Sequence, residues 1–199
     1  MAKRLKAAER RRQLLETAAD VFARRGYHGA TTAELARAAG ITEPILYRHF
    51  KNKLDLFITL IEEVGQEVLA AWRRNLDGVD DPHRRLEMLL SGNPATNDRG
   101  QAVYRVIFQS MTDAHVDRRV RSALRQHIAS LRKFLEEEVE SLQKAGAVRA
   151  DVKARDLATA LIDIAVGYGM VAPLRVSSRS LARGKSAMQT LLHELIACR

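Results

Sequence analysis

The chain has 199 residues, 46% of them hydrophobic, and sets 33 Lys+Arg against 24 Asp+Glu for a formal charge of +9. That apolar fraction supports a real core and excludes wholesale disorder, and at ~150 residues per domain the length accommodates one or two domains. The lone cysteine, Cys198, excludes an internal disulfide framework and a cysteine-rich metal site, as expected of a protein in a reducing cytoplasm.

The excess charge is concentrated at one end. Residues 1–53 carry 12 basic and 5 acidic side chains, a balance of +7, whereas residues 54–199 carry 21 and 19, a balance of +2. A basic segment joined to a near-neutral body points to a polyanionic partner, either nucleic acid or an anionic membrane. The opening run, from Lys3 through Glu9-Arg10-Arg11-Arg12, contains no hydrophobic stretch and is not expected to act as a secretory signal. The longest apolar stretch, Leu157 to Leu174, is interrupted by Asp163. A mid-span Asp costs about 2.5–3.5 kcal/mol on insertion, so this stretch is expected to be a buried helix of a soluble protein.

In chain order, Leu14, Leu15, Ala18 and Phe22 form a first stripe at helical spacing, with Gly26 placed as its C-cap. Thr31-Thr32-Ala33-Glu34 is a capping-box pattern that opens a short helix through Ala39, stopped by Gly40. Thr42 is placed to cap a third short helix, and Pro44 falls in its first turn, where a missing N–H is harmless. Asn52 and Asp55 form a similar box for a longer helix with Phe57, Leu60, Ile61, Val64, Val68, Leu69 and Trp72 on its apolar face. After Gly78 the pattern predicts helices over 82–91, 101–112, 116–144, 154–172 and 186–197. They are broken at Ser91-Gly92-Asn93-Pro94, at Ala145-Gly146-Ala147 and by a polar loop from Ser177 to Gly184. No strand pattern and no internal repeat occurs, and the expected fold is all-α.

Two short capped helices around a Gly40 turn are the sequence form of a helix-turn-helix. Counting from Glu43 at ~100° per residue, Leu46 and Phe50 fall together at about 300° and 340°, facing a small core closed by Ile41. Pro44, Ile45, Arg48 and part of His49 face outward. An outward Ile beside an Arg suits a major groove, where Arg donates twice to guanine and an apolar side chain meets a thymine methyl. Tyr47 and His49 flank that face and suit phosphate contacts, and Lys53 adds charge to a helix N-terminus that already favours an anion.

The run Thr32-Ala33-Glu34-Leu35-Ala36-Arg37-Ala38-Ala39-Gly40-Ile41-Thr42, followed by Leu46-Tyr47-Arg48-His49-Phe50-Lys51-Asn52-Lys53, resembles the DNA-binding domain of TetR-family transcriptional regulators over residues 10–60. The resemblance implies DNA contacts at Thr31 or Thr32, Thr42, Pro44, Ile45, Tyr47, His49 and Lys53. Many members carry Gly where this chain has Pro44. Glu43 stands where many have a polar reading residue; an acid there either accepts from cytosine or caps its own helix. The basic arm from Lys3 to Arg12 either reaches a minor groove or phosphate, or stays solvated.

The resemblance further implies residues 1–53 as the DNA-binding domain, 54–76 as a connecting helix and 77–199 as an effector-binding and dimerisation domain. Apolar stripes are core by default. The residues chosen to face a small, largely apolar effector are Trp72, Met88, Tyr104, Phe108, Met111, His127, Leu131, Phe134 and Tyr168, which are large, adaptable or tipped with a polar group. Leu161, Ile164 and Ala165 on one helix and Met188, Leu191, Leu192 and Leu195 on the next are expected to pair across a twofold axis in a homodimer, with an intramolecular core as the other reading. Such a dimer would read half-sites ~34–36 Å apart, or multiples of that, on a palindromic operator.

No metalloprotease, phosphate-loop, nucleophile-elbow or cysteine–histidine metal spacing occurs, so no enzyme, cofactor or metal is expected. His115 with Asp113 and Asp117 fits a polar interhelical turn better than a metal site. The expected function is a ligand-responsive repressor, with an architectural DNA-binding protein lacking an effector as the alternative. The membrane partner drops out once the basic segment's apolar face is committed to the core.

Overall fold

The computed structural model describes residues 7–91, 104, 107, 117–171 and 178–197. These form eight helices: α1 (Ala7–Gly29), α2 (Thr32–Ala38), α3 (Glu43–Tyr47), α4 (Lys53–Leu76), α5 (Pro82–Ser91), α6 (Arg118–Lys144), α7 (Ala154–Val171) and α8 (Ser178–Ile196). Residues 104 and 107 are also helical. Among the described residues the one β-type pairing is an isolated antiparallel bridge between Val148 and Ala197. No helix among them is long and apolar enough to cross a membrane.

The described residues fall into two compact units. One comprises 7–64 with 104, 107 and 117–125; the other comprises 65–91 with 126–171 and 178–197. The boundaries lie inside α4 and α6.

In the first unit, α1 buries Leu14, Leu15, Ala18, Ala19, Val21 and Phe22. Gly26 ends its regular course at φ 70°, ψ 169°, a backbone region open to glycine and strained for other residues. Phe22 meets the Phe57 ring edge-on at 5.2 Å, and Tyr27 lies 4.7 Å from Phe57. Burying rings such as Phe22, Phe50 and Phe57 contributes about 1.5–3 kcal/mol each. Residues 7–12 of the basic arm belong to α1, because Ala, Glu and Arg are all strong helix formers. Lys3, Arg4 and Lys6 lie outside the described residues.

In the second unit, Asp81 caps α5 by accepting from the Arg84 N–H at 2.8 Å, with Pro82 behind it. Arg85 joins Glu138 through two contacts of 2.8 and 2.9 Å and donates to the carbonyls of Leu76 and Val79 at 2.8 and 3.2 Å. α5 packs against α8. The last helix starts at Ser178, eight residues ahead of the expected 186, so the predicted loop from Ser177 to Gly184 is helical from its second residue. Polar residues suggest a loop, but Arg179, Leu181, Ala182 and Arg183 are good helix formers, and adding residues to an existing helix is easy. α7 is likewise less buried than expected, because it encloses Leu157, Ala158, Leu161 and Ile162 while Asp163, Ile164 and Met170 face solvent.

Candidate functional site

The turn between α2 and α3 is built from backbone bonds. Gly40 sits at φ 67°, its N–H donates to the Arg37 carbonyl at 3.1 Å, and the Ile41 N–H donates to the Ala36 carbonyl at 3.0 Å. This is the paired closure of a helix that ends on a left-handed glycine. At the other end of α2, Thr31 Oγ1 accepts from the Glu34 N–H at 3.1 Å. The Glu34 carboxylate does not fold back to complete the box, because it accepts from Arg25 Nε at 3.1 Å.

α3 has five residues, too few for a stable isolated helix. Leu46 and Phe50 are buried, as the wheel predicts, and Ile41 is half-buried. Tyr47 is exposed and donates its hydroxyl proton to Thr32 Oγ1 at 3.2 Å, which ties α3 to the start of α2. Thr42 occupies the N-cap without a side-chain capping bond and is exposed. Pro44 and Arg48 are exposed, and Glu43, Ile45 and His49 are half-buried.

His49 lies in a positive environment. Partial burial, then Arg48, Arg11 and Arg10, hold its imidazole below the usual histidine range. Its carbonyl accepts from Arg11 Nη1 at 2.9 Å, while the Arg11 guanidinium lies 4.6 Å over the Phe50 ring and Nη2 is 3.5 Å from Thr59 Oγ1. This clamp is not anticipated in the sequence, although Arg11 falls on the register of Leu15, Ala18 and Phe22, where an exposed cation would not be expected. Lys53 also has partners within the protein. Its ammonium donates to the carbonyls of Tyr27 and Ala30 at 2.9 and 2.8 Å and lies 4.6 Å over the Tyr27 ring, and burial lowers its pKa. Asn52 Oδ1 accepts from the Asp55 N–H at 2.9 Å, the first half of the expected box, while Asp55 Oδ2 accepts from the Lys51 N–H at 2.9 Å, one residue ahead of the N-cap.

Among the residues expected at an effector site, Trp72, His127 and Phe134 line one seam of the second unit. Trp72 on α4 stacks on Phe134 of α6 with ring centroids 5.6 Å apart and planes 18° from parallel. Seven residues earlier on each helix, Gly65 faces His127, so the two helices run in the same direction here. His127 is 5% exposed, and burial lowers its pKa to about 4, which keeps it neutral near pH 7. Trp72 is 6% exposed, and its indole Nε1 has no hydrogen-bond partner among the described residues. Leu131 is buried, and Met88 and Tyr168 are half-buried. Tyr104 belongs to the first unit, where burial pushes its hydroxyl pKa up. Phe108 and Met111 lie outside the described residues, as do Asp113 and His115; Asp117 caps α6 by accepting from the Arg119 N–H at 2.8 Å.

Of the expected dimer residues, Leu161 and Leu192 are buried within the chain, and Ala165 and Met188 are half-buried. Leu191 and Leu195, one turn apart on α8, are 59% and 58% exposed, and Ile164 is exposed on α7. Met170, not singled out in the sequence, is exposed as well.

Two short helices joined through Gly40, the second anchored by Leu46 and Phe50 while showing Pro44, Tyr47 and Arg48 to solvent, define a helix-turn-helix DNA-binding protein. The family of bacterial regulatory proteins named for tetR matches residues 14–60, and the tetracyclin repressor-like C-terminal domain matches residues 111–188. The chain belongs to the TetR family of transcriptional regulators.

It is 34% identical over 122 residues to the HTH-type transcriptional activator FasR of Mycolicibacterium smegmatis, a match spanning 60% of this chain and 56% of FasR. It is 32% identical over 99 residues to the nucleoid occlusion factor SlmA of Aliivibrio fischeri, 49% of this chain and 50% of SlmA. The chain thus spans about half the length of these curated relatives. A transcriptional regulator from Saccharomonospora viridis, solved in complex with choline, superposes with a TM-score of 0.84 at 23% identity, over 96% of this chain and 100% of that one. FadR from Bacillus subtilis, solved with stearoyl-CoA, superposes at 0.75 with 15% identity, over 91% and 96%. At these identities the structural likenesses establish the fold.

Proposed function

We propose that this regulator is a cytoplasmic homodimer that represses transcription from a palindromic operator and is released by a small, largely apolar molecule. The observation that carries the reading is the division of α3 and the turn after it into a buried edge, Leu46 and Phe50, and an exposed one bearing Pro44, Tyr47 and Arg48. In the groove, Arg48 donates to guanine and Ile45 meets a thymine methyl. Glu43 accepts from cytosine or caps α3. Thr31, Thr32, Thr42, Tyr47 and His49 contact phosphates, and Lys53 reaches one with the N–H not given to Tyr27 and Ala30.

The effector occupies the second unit beside Trp72, Phe134 and His127. A neutral imidazole and an indole N–H that meets no partner among the described residues suit an uncharged molecule that brings a hydrogen-bond acceptor. Choline and stearoyl-CoA, held by the two structural neighbours, are both charged, and neither is assigned to this chain. The effector acts by binding more tightly to the arrangement in which the two recognition helices no longer match the groove spacing, with α4 carrying the change.

Selection of duplexes from a random library tests the operator; a palindrome with half-sites ~34–36 Å apart, or a multiple of that, is expected. Titrating compounds that bind the protein against that operator tests release, and operator affinity unchanged by every bound compound would refute it. FasR is named an activator, so a reporter assay decides the sign: deleting the regulator raises transcription under this reading. The similarity to SlmA favours a second reading, a DNA-binding protein without an effector, which predicts little difference between selected and random duplexes at matched salt.

A further inference from the structure

One cation of the DNA-binding unit is turned inward at the end of the helix that meets DNA. Arg11, on the second turn of α1, donates from Nη1 to the His49 carbonyl at 2.9 Å and holds its guanidinium carbon 4.6 Å from the centre of the Phe50 ring. Its other terminal nitrogen approaches Thr59 Oγ1 on α4 at 3.5 Å. One side chain thus links α1 to the turn that follows α3 and to α4. We propose that Arg11 is a positioning residue for the recognition helix, fixing the C-terminal end of α3 against α1 and α4 so that Arg48 and Ile45 meet the groove at one angle, without itself touching DNA. The proposal rests on the reading of α3 as the groove helix.

The need for such a device follows from the size of α3. Its N-terminal side is set by the Gly40 turn, and Tyr47 ties its last turn to Thr32. Beyond Tyr47 the chain leaves the helix through Arg48 and His49, where carbonyls lose their intrahelical donors. The His49 carbonyl lies just past that end, outside the helical ladder, and Arg11 supplies its donor. The guanidinium serves the His49 carbonyl with one terminal nitrogen and approaches Thr59 with the other while its charge lies over Phe50, whereas an ammonium brings all its donors to a single point. A phosphate-binding arginine behaves otherwise, since lysine replaces much of its effect and its loss lowers the salt dependence of binding.

The test uses the full-length protein, a duplex selected by the wild type from a random library, and a random duplex of equal length, with affinities measured from about 50 to 200 mM salt. Arg11→Lys and Arg11→Gln are each expected to lower the preference for the selected duplex by about tenfold, with the wild-type salt slope retained. Wild-type preference in Arg11→Lys would overturn the proposal. So would equal weakening on both duplexes with the salt slope reduced by about one, the signature of a phosphate contact. If circular dichroism shows the Arg11 variants unfolded, Phe50→Leu decides: it keeps an apolar anchor and removes the stacking face, and preference undiminished in that variant overturns the proposal. A wild-type protein that selects no duplex overturns the operator reading, and this one with it.

Discussion

A β-carbon placed on Gly65 would lie 2.5 Å from Nδ1 of His127, well inside van der Waals contact. Alanine is the better helix former by about 1 kcal/mol, yet here overpacking should win, and Gly65→Ala is expected to destabilise the protein by about 1–3 kcal/mol. His127→Ala removes the obstruction. In the double variant the Gly65→Ala penalty should vanish, and urea unfolding of the four proteins of the cycle measures the coupling. Strict additivity would show that the ring simply moves aside.

His127 also makes stability depend on pH. Its folded pKa is about 4 against 6.5 unperturbed, so between these values the unfolded chain binds more protons. Unfolding free energy therefore falls as pH is lowered through that window, by about 2 kcal/mol between pH 7 and pH 5 from this group. His127→Leu should flatten this part of the curve. An undiminished slope in that variant would assign the effect to other groups.

Arg85 holds both Glu138 oxygens and two carbonyls at the end of α4, on side chains that are mostly out of water. Truncation leaves the Glu138 carboxylate without its cation and takes a donor from the Val79 and Leu76 carbonyls, of which Leu76 retains the Val79 N–H. Arg85→Ala is expected to lose about 2–4 kcal/mol, and Arg85→Lys should recover little because one ammonium cannot serve all four acceptors. Thermal unfolding of both variants checks this, and full recovery by lysine would contradict it.

Leu191 and Leu195 are the most exposed large apolar side chains given to the dimer face. Replacing both with Glu should leave folding intact, since neither is buried within the chain, and yield a monomer by sedimentation at micromolar concentration. A dimer that persists would place the interface elsewhere.

Arg48→Ala should relax the preference at one base pair by about 1–3 kcal/mol without lowering stability, because the side chain is exposed. A repeated duplex selection reads this directly, and an unchanged consensus would remove Arg48 from the reading set.

What could be read in the sequence was local. Thr31, Gly40 and Asn52 announce turns through chemistry that acts within three or four residues, and Leu46 and Phe50 reveal their face by spacing alone. Arg11 and Lys53 were legible as charge and not as structure, because their acceptors lie 38 and 26 residues away and are carbonyls, which leave no trace in residue identity. The start of α8 was missed because serine and glycine suggest a loop even where their neighbours sustain a helix. Trp72 and Phe134 were recognisable as large apolar residues, but their stacking depends on two helices running in register. That relation appears only when the chain is folded.

On α3, the side chains that secure the fold and those that would meet a base pair occupy different positions. Leu46, Phe50 and the Tyr47–Thr32 link hold the helix, whereas Pro44 and Arg48 are exposed and Ile45 is only partly covered. Mutational drift at those outward positions is therefore nearly free of folding consequences, so duplicated copies of this gene could acquire new operators one substitution at a time.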